Sequence, residues 1–338
     1  MKGIVCAEAD RLEWVDHLPE PVLAPGHAIV TIKRVGICGT DLHAYKGNQP
    51  FFSYPRILGH ELAGVIEAVN ENEAGFEAGD QVSIIPYMHC GACIACRGGK
   101  TNCCTDMRVL GVHIDGGMRE RITVPVERLI GTKGLTLDQT AVLEPLAIGA
   151  HAVRRSGLAA GETALVIGGG PIGLGVMAIA KHAGAKVIAM DVNEERLAFC
   201  GQWAKADAVV HALQEPLDAI LAANGGELPA IVFDATGNAK SMNGAFQYAS
   251  HGGRLVFVGL VKADITFHDP EFHKRELTLM ASRNATREDF DTVMTALAAG
   301  AADVSRYITH RVPFAGMIGQ FESYLKPETK VIKAMIEL

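Results

Sequence analysis

Between residues 163 and 281 six short apolar runs recur, separated by stretches with helical spacing: Thr163–Ile167, Lys186–Asp191, Ala208–His211, 230–235, 254–259 and 276–281. Strands that are apolar throughout are buried on both faces, and strands joined by helix-length connections pair in parallel. The stretch therefore predicts a parallel sheet covered by helices on both faces, with a further helix over 287–299. The first 150 residues follow a different rhythm. Alternating runs at 28–36, 62–70 and 81–85, broken by Gly, Pro and Asp, predict a β-rich unit. At 338 residues the chain exceeds one comfortable core and fits two domains. Pattern alone leaves the tail, with Pro313 and Pro327, unassigned.

The turn after the first of the six runs carries Gly168-x-Gly170-Pro171-Ile172-Gly173. Glycines at this spacing permit a tight turn, a close approach to a pyrophosphate and close packing of the following helix, whose N-terminus favours phosphate charge. The second run ends in Asp191, where a carboxylate accepts hydrogen bonds from ribose hydroxyls and repels a 2′-phosphate, so NAD is expected rather than NADP. Arg196 is a candidate for the adenine end.

Five of the eight cysteines crowd between Cys90 and Cys104. The start of the chain has no apolar segment of the length a secretory signal needs, and no run approaches a membrane span, so a cytoplasmic protein is expected. In a reducing compartment such crowding points to metal rather than disulfides. Cys90, Cys93, Cys96 and Cys104 form the soft four-ligand set of a closed tetrahedral zinc site, with Cys103 the alternative fourth member. A second, scattered set comprises Cys38, His60, Glu61 and Glu144. Mixed sulfur, nitrogen and oxygen donors with one open position suit a catalytic zinc, although each residue alone also reads as an ordinary buried or paired side chain. A formal net charge of −7 argues against a nucleic-acid partner.

These residues sit in the segments GICGTDLH (36–43), LGHELAG (58–64), CGACIACRGGKTNCC (90–104), LEPLAIGAHA (143–152), GGGPIGLG (168–175) and DATGN (234–238). Through them the chain resembles, over nearly its full length, the zinc-containing medium-chain alcohol dehydrogenases of the polyol and sugar-acid branch. GNQPFFSYPRILGHE (47–61), DPEFHKRE (269–276) and SRNAT (282–286) look like the bacterial L-galactonate and L-gulonate 5-dehydrogenases.

The resemblance implies an α/β chain: a groES-like catalytic domain (1–150), a Rossmann NAD-binding domain (151–285) and a C-terminal return to the catalytic domain (286–338). It implies two zincs per chain, NAD, a small-molecule substrate and a homodimer or homotetramer, with an edge strand near 276–281 pairing across a two-fold axis. Cys38, His60, Glu61 and Glu144 are then placed around the catalytic zinc, with the choice between the two glutamates open. Thr40 takes the proton of the substrate hydroxyl and passes it, through the nicotinamide ribose, to His43. A sugar acid also needs a cation for its carboxylate, for which Arg56, His113, Arg119 and Arg283 are candidates. The alternatives are a polyol or amino-alcohol dehydrogenase, a zinc-free reductase of the same fold and, from another class, a zinc-ribbon binding module.

Overall fold

The computed structural model describes residues 1–49 and 52–338. Pro50 and Phe51, inside the GNQPFFSYPRILGHE segment, lie outside the described residues. The chain divides into two compact units, Met1–Glu144 with Val304–Leu338, and Pro145–Asp303.

The first unit is built on a sheet whose central strand is His27–Ile37. Glu61–Val69 and Arg121–Pro125 pair with it antiparallel, and so does Lys333–Glu337 from the far end of the chain. Alternation in HAIVTIKRVGI sends Ala28, Val30 and Ile32 into a core with Leu62, Ile66, Val82 and Ile122. Each of the larger side chains, the valines, leucines and isoleucines, contributes about 1.5–3 kcal/mol on burial. Arg34, Asp138, Arg311 and Glu337 close a ring of ion pairs, with Arg34 Nε 3.0 Å and Arg311 2.6 Å from Asp138, that joins the C-terminal strands to this sheet. Its members are part-exposed, so the ring adds modestly to stability.

The second unit is a parallel sheet in the order Ala208–His211, Lys186–Asp191, Thr163–Ile167, Ile231–Asp234, Arg254–Phe257, Thr278–Ala281. In chain order this is 3-2-1-4-5-6, with a topological switch between the first and fourth strands. The last strand begins two residues later than the apolar run at 276, because Glu276 takes a positive φ of 50° in the turn leaving helix Asp269–Lys274.

The units divide at Glu144 and Asp303 rather than at 150 and 285. Helix Arg287–Ala298, expected in the C-terminal return, belongs instead to the second unit. Its buried Asp289 accepts from Arg154 Nε at 2.7 Å and lies 2.9 Å from His151 Nδ1, both on helix Leu143–Ser156. The return starts at Val304 and adds the strands Ile308–Pro313 and Lys333–Glu337 to the first unit.

Candidate active site

Two clusters of metal-capable side chains occur among the described residues. In the first, donor atoms of Cys38, His60 and Glu61 lie within 4.8 Å of one another, with His60 and Glu61 buried. Each is delivered by a different local device. Cys38 caps helix Gly39–Tyr45. Gly59 takes φ +93° so that the chain can turn beside Val35, which presents His60. Glu61 opens its strand opposite Gly36.

Asp41 ties the first two of these together. Fully buried, it accepts from the backbone N–H of Cys38 at 2.9 Å and of Gly59 at 3.1 Å, and its Oδ1 is 3.8 Å from His60 Nδ1. Burial raises the pKa of Asp41, with His60 and the two N–H donors acting against it. At His60 burial opposes a positive charge, yet Asp41, Cys38 and Glu144 together hold the ring's basicity well above its ordinary value. The surroundings thus favour a cation at this ring, and Nδ1 of His60 is buried without a hydrogen-bond partner. A compact S, N and O donor set in an anionic field fits a zinc ion with an open position.

Two residues not singled out in the sequence complete the pocket. Lys333 Nζ lies 2.5 and 2.7 Å from the two oxygens of Glu61, both residues being buried. Tyr87 donates its hydroxyl to Oε1 of Glu144. Glu144 is outside the three-residue cluster but buried beside it in the first turn of helix Leu143–Ser156. Burial and the charge of Glu61 push it up to about 7, against the opposing effects of His60, Tyr87 and Lys333. Thr40 and His43, three apart and so on one face of helix Gly39–Tyr45, run from half-buried to exposed.

The second cluster is Cys90, Cys93, Cys96 and Cys104, again within 4.8 Å, and Cys104 rather than its exposed neighbour Cys103 joins it. Sulfur pairs Cys93–Cys96 and Cys90–Cys104 are each 3.5 Å apart. Zinc at about 2.3 Å from four sulfurs would space them about 3.8 Å, so the set fits that ion with a small expansion. Backbone N–H groups of Thr105 and Cys96 lower Cys93 to about 5, while burial and its neighbouring sulfurs push Cys96 up to about 12.

In the second unit Gly168 turns with φ +103° against Ala235 and Thr236, a conformation and a contact that exclude a side chain. Gly170 precedes Pro171 and Ile172 at the helix start and faces open space, whereas a Cβ at Gly173 would lie 1.8 Å from the carbonyl oxygen of Gly168. Asp191 accepts from the N–H of Gly169 at 2.6 Å and of Asn193 at 2.9 Å. Arg196 stands exposed, its Cβ near Gly169.

Of the four candidate cations for a substrate carboxylate, Arg56 and Arg119 meet at one residue, Asp115. Arg56 meets Asp115 Oδ1 at 3.3 Å and Arg119 donates to the Asp115 carbonyl at 3.4 Å. His113 Nδ1 accepts from the Val109 N–H at 3.1 Å, and Arg283 belongs to the second unit.

Residues 24–133 match the alcohol dehydrogenase GroES-like domain and residues 171–299 the zinc-binding dehydrogenase domain. Among curated proteins, L-galactonate-5-dehydrogenase of Escherichia coli K12 is 44% identical over 337 residues, 99% of this chain and 98% of its own. The 2-dehydro-3-deoxy-L-galactonate 5-dehydrogenase of Pseudoalteromonas atlantica is 33% identical, over 92% of this chain and 94% of its own. Among solved structures, an alcohol dehydrogenase of E. coli CFT073 complexed with NADH superposes with a TM-score of 0.91 at 30% identity, covering 100% of this chain and 99% of its own. With both domains matched and likeness running end to end, the chain belongs to the zinc-binding alcohol dehydrogenase family.

Proposed function

We propose that the chain oxidises a secondary hydroxyl of a sugar acid, at C5 of L-galactonate or L-gulonate, with NAD as hydride acceptor. The observation that carries this is the Cys38–His60–Glu61 cluster in a chain 44% identical to an L-galactonate-5-dehydrogenase. The net reaction converts alcohol and NAD+ to ketone, NADH and a proton.

Cys38, His60 and Glu61, with Glu144 beside them, would hold the catalytic zinc, and Cys90, Cys93, Cys96 and Cys104 a second zinc that braces their loop. Zinc in the first site supplies a Lewis acid that makes the substrate hydroxyl easier to deprotonate. Thr40 would accept that proton while giving up its own hydroxyl proton, and the exposed His43 on the same helix face would deliver the proton to solvent. The Gly168–Gly173 turn holds the coenzyme pyrophosphate, Asp191 the adenosine ribose, and Arg196 the adenine end. The substrate carboxylate meets a cation drawn from Arg56, His113, Arg119 and Arg283, of which Arg56 and Arg119 already engage Asp115. In this reading the enzyme is a cytoplasmic homodimer or homotetramer. None of the eight cysteines is in a disulfide. Among the described residues no helix is long and apolar enough to cross a membrane.

The test is NADH formation from aldonates and alditols, with metal analysis of the same sample. Chelator-sensitive turnover of L-galactonate or L-gulonate and roughly two zincs per chain are expected. Turnover of alditols or threonine alone would make this a polyol or amino-alcohol dehydrogenase, and a zinc-free active chain would overturn the zinc assignment.

A further inference from the structure

Tyr87 has no part in the scheme above, yet it is buried with a polar tip, and a buried phenol needs a hydrogen-bond partner. Its partner is Oε1 of Glu144. Among the described residues no donor engages the second oxygen, Oε2. Tyr87 lies on the two-residue strand Tyr87–Met88, which pairs with Arg108–Val109. These two strands flank the cysteine lobe, leading into Cys90 on one side and out of Cys104 on the other. The ring is therefore anchored by the base of the lobe rather than by a mobile loop.

We propose that Tyr87 is a positioning residue: by engaging Oε1 it fixes the orientation of Glu144 and leaves a single oxygen for the metal, and in this way sets how tightly the Cys38–His60 pocket holds zinc. The inference rests on the reading that this pocket binds zinc. Partners behind a metal ligand act by orienting it and by raising its donor strength, and their loss weakens metal binding roughly 10–100-fold. Tyr87→Phe keeps the ring, and with it the packing under the lobe, while deleting the one hydroxyl that reaches Glu144.

The experiment measures zinc affinity at the pocket by chelator competition, and the visible spectrum after cobalt substitution, in the full-length wild-type enzyme, Tyr87→Phe, Glu144→Ala and the double variant. Tyr87→Phe is expected to weaken pocket zinc roughly 10–100-fold and to alter the cobalt bands while the lobe zinc is retained. The double variant should be no weaker than the weaker single variant, because the Tyr87 hydroxyl acts on the metal only through the side chain of residue 144. A residue that serves packing alone would lower thermal stability and leave affinity and spectrum unchanged. Wild-type affinity and spectrum in Tyr87→Phe, or losses that multiply in the double variant, overturn the proposal. A wild-type chain that holds zinc in the lobe and none in the pocket overturns both this inference and the functional reading beneath it.

Discussion

In the interior of the first unit the ammonium of Lys333 bridges both carboxylate oxygens of Glu61, at 2.5 and 2.7 Å, and also donates to the Ile37 carbonyl at 3.2 Å. Burial works against the charge on Lys333, but Glu61 holds its pKa well above the ordinary lysine value. Removing one partner of a buried pair strands the other charge, at about 3–5 kcal/mol. With no metal in the pocket to compensate Glu61, Lys333→Met is therefore expected to lower the stability of the zinc-stripped enzyme by about that amount, and adding Glu61→Gln should restore part of it. Urea unfolding of the two variants decides this. A Lys333→Met chain as stable as the wild type would mean that the pair contributes nothing net.

The cysteine lobe and the glycine turn were legible in the sequence because their residues lie within a few positions of one another, so spacing alone encodes the geometry. Six apolar runs likewise marked the strands of the second unit: burial on both faces accounts for the four inner ones, whereas the edge strands Ala208–His211 and Thr278–Ala281 are apolar although partly exposed. Lys333 left no such mark. It lies 272 residues from Glu61, and sheet pairing across that distance has no local signature. Tyr87 read as one more strand aromatic. Asp41 was within reach, because an acid three residues after Cys38 at a helix start is a capping signal. Helix Arg287–Ala298 was predicted correctly as a helix but assigned to the wrong unit, because its partners His151 and Arg154 lie over 130 residues upstream.

Asp191 uses one oxygen on Gly169 and the other on Asn193, so it braces the glycine turn besides the ribose contact proposed for it. A hydrogen bond to a charged group contributes about 1.5–3 kcal/mol. Asp191→Ser should raise the KM for NAD roughly tenfold or more and narrow the preference for NAD over NADP. Initial rates with both coenzymes measure this, and an unchanged ratio would remove Asp191 from coenzyme selection.

Burial alone would push the Asp289 carboxyl up, but hydrogen bonds from His151, Arg154 and the Thr286 N–H bring it down to about 2. A group whose folded value lies below its unfolded one stabilises the fold above the unfolded value, near pH 4, and loses that contribution as pH falls towards 2. The contribution is up to about 2 kcal/mol, reduced by whatever solvent screening reaches the pair. The difference in urea midpoint between wild type and Asp289→Asn should accordingly be constant above about pH 4.5 and shrink below it. A difference that grew on acidification would have the wrong sign for this network.

Gly36 lies on the central strand between the strands that carry Glu61 and Lys333, and the side chain of Glu61 passes over it. A Cβ at position 36 would stand 2.0 Å from Glu61 Oε2, and also 2.9 Å from Glu61 Cβ, which the strand holds in place. Rotation of the carboxylate alone cannot relieve the second contact, so Gly36→Ala must shift the start of the Glu61 strand and draw its oxygens away from Lys333. Overpacking of this kind costs about 1–3 kcal/mol. Gly39, three residues further on, has no heavy atom within 4 Å of the same hypothetical Cβ, which makes Gly39→Ala the matched control. Urea midpoints should fall for Gly36→Ala and hold or rise for Gly39→Ala, where alanine also restricts the unfolded chain. Pocket zinc should weaken in the first variant, since the displaced carboxylate belongs to the metal-binding cluster. Equal stability and equal zinc affinity in both variants would mean that the strand yields freely, and that the bare backbone at Gly36 is not what lets Glu61 reach Lys333.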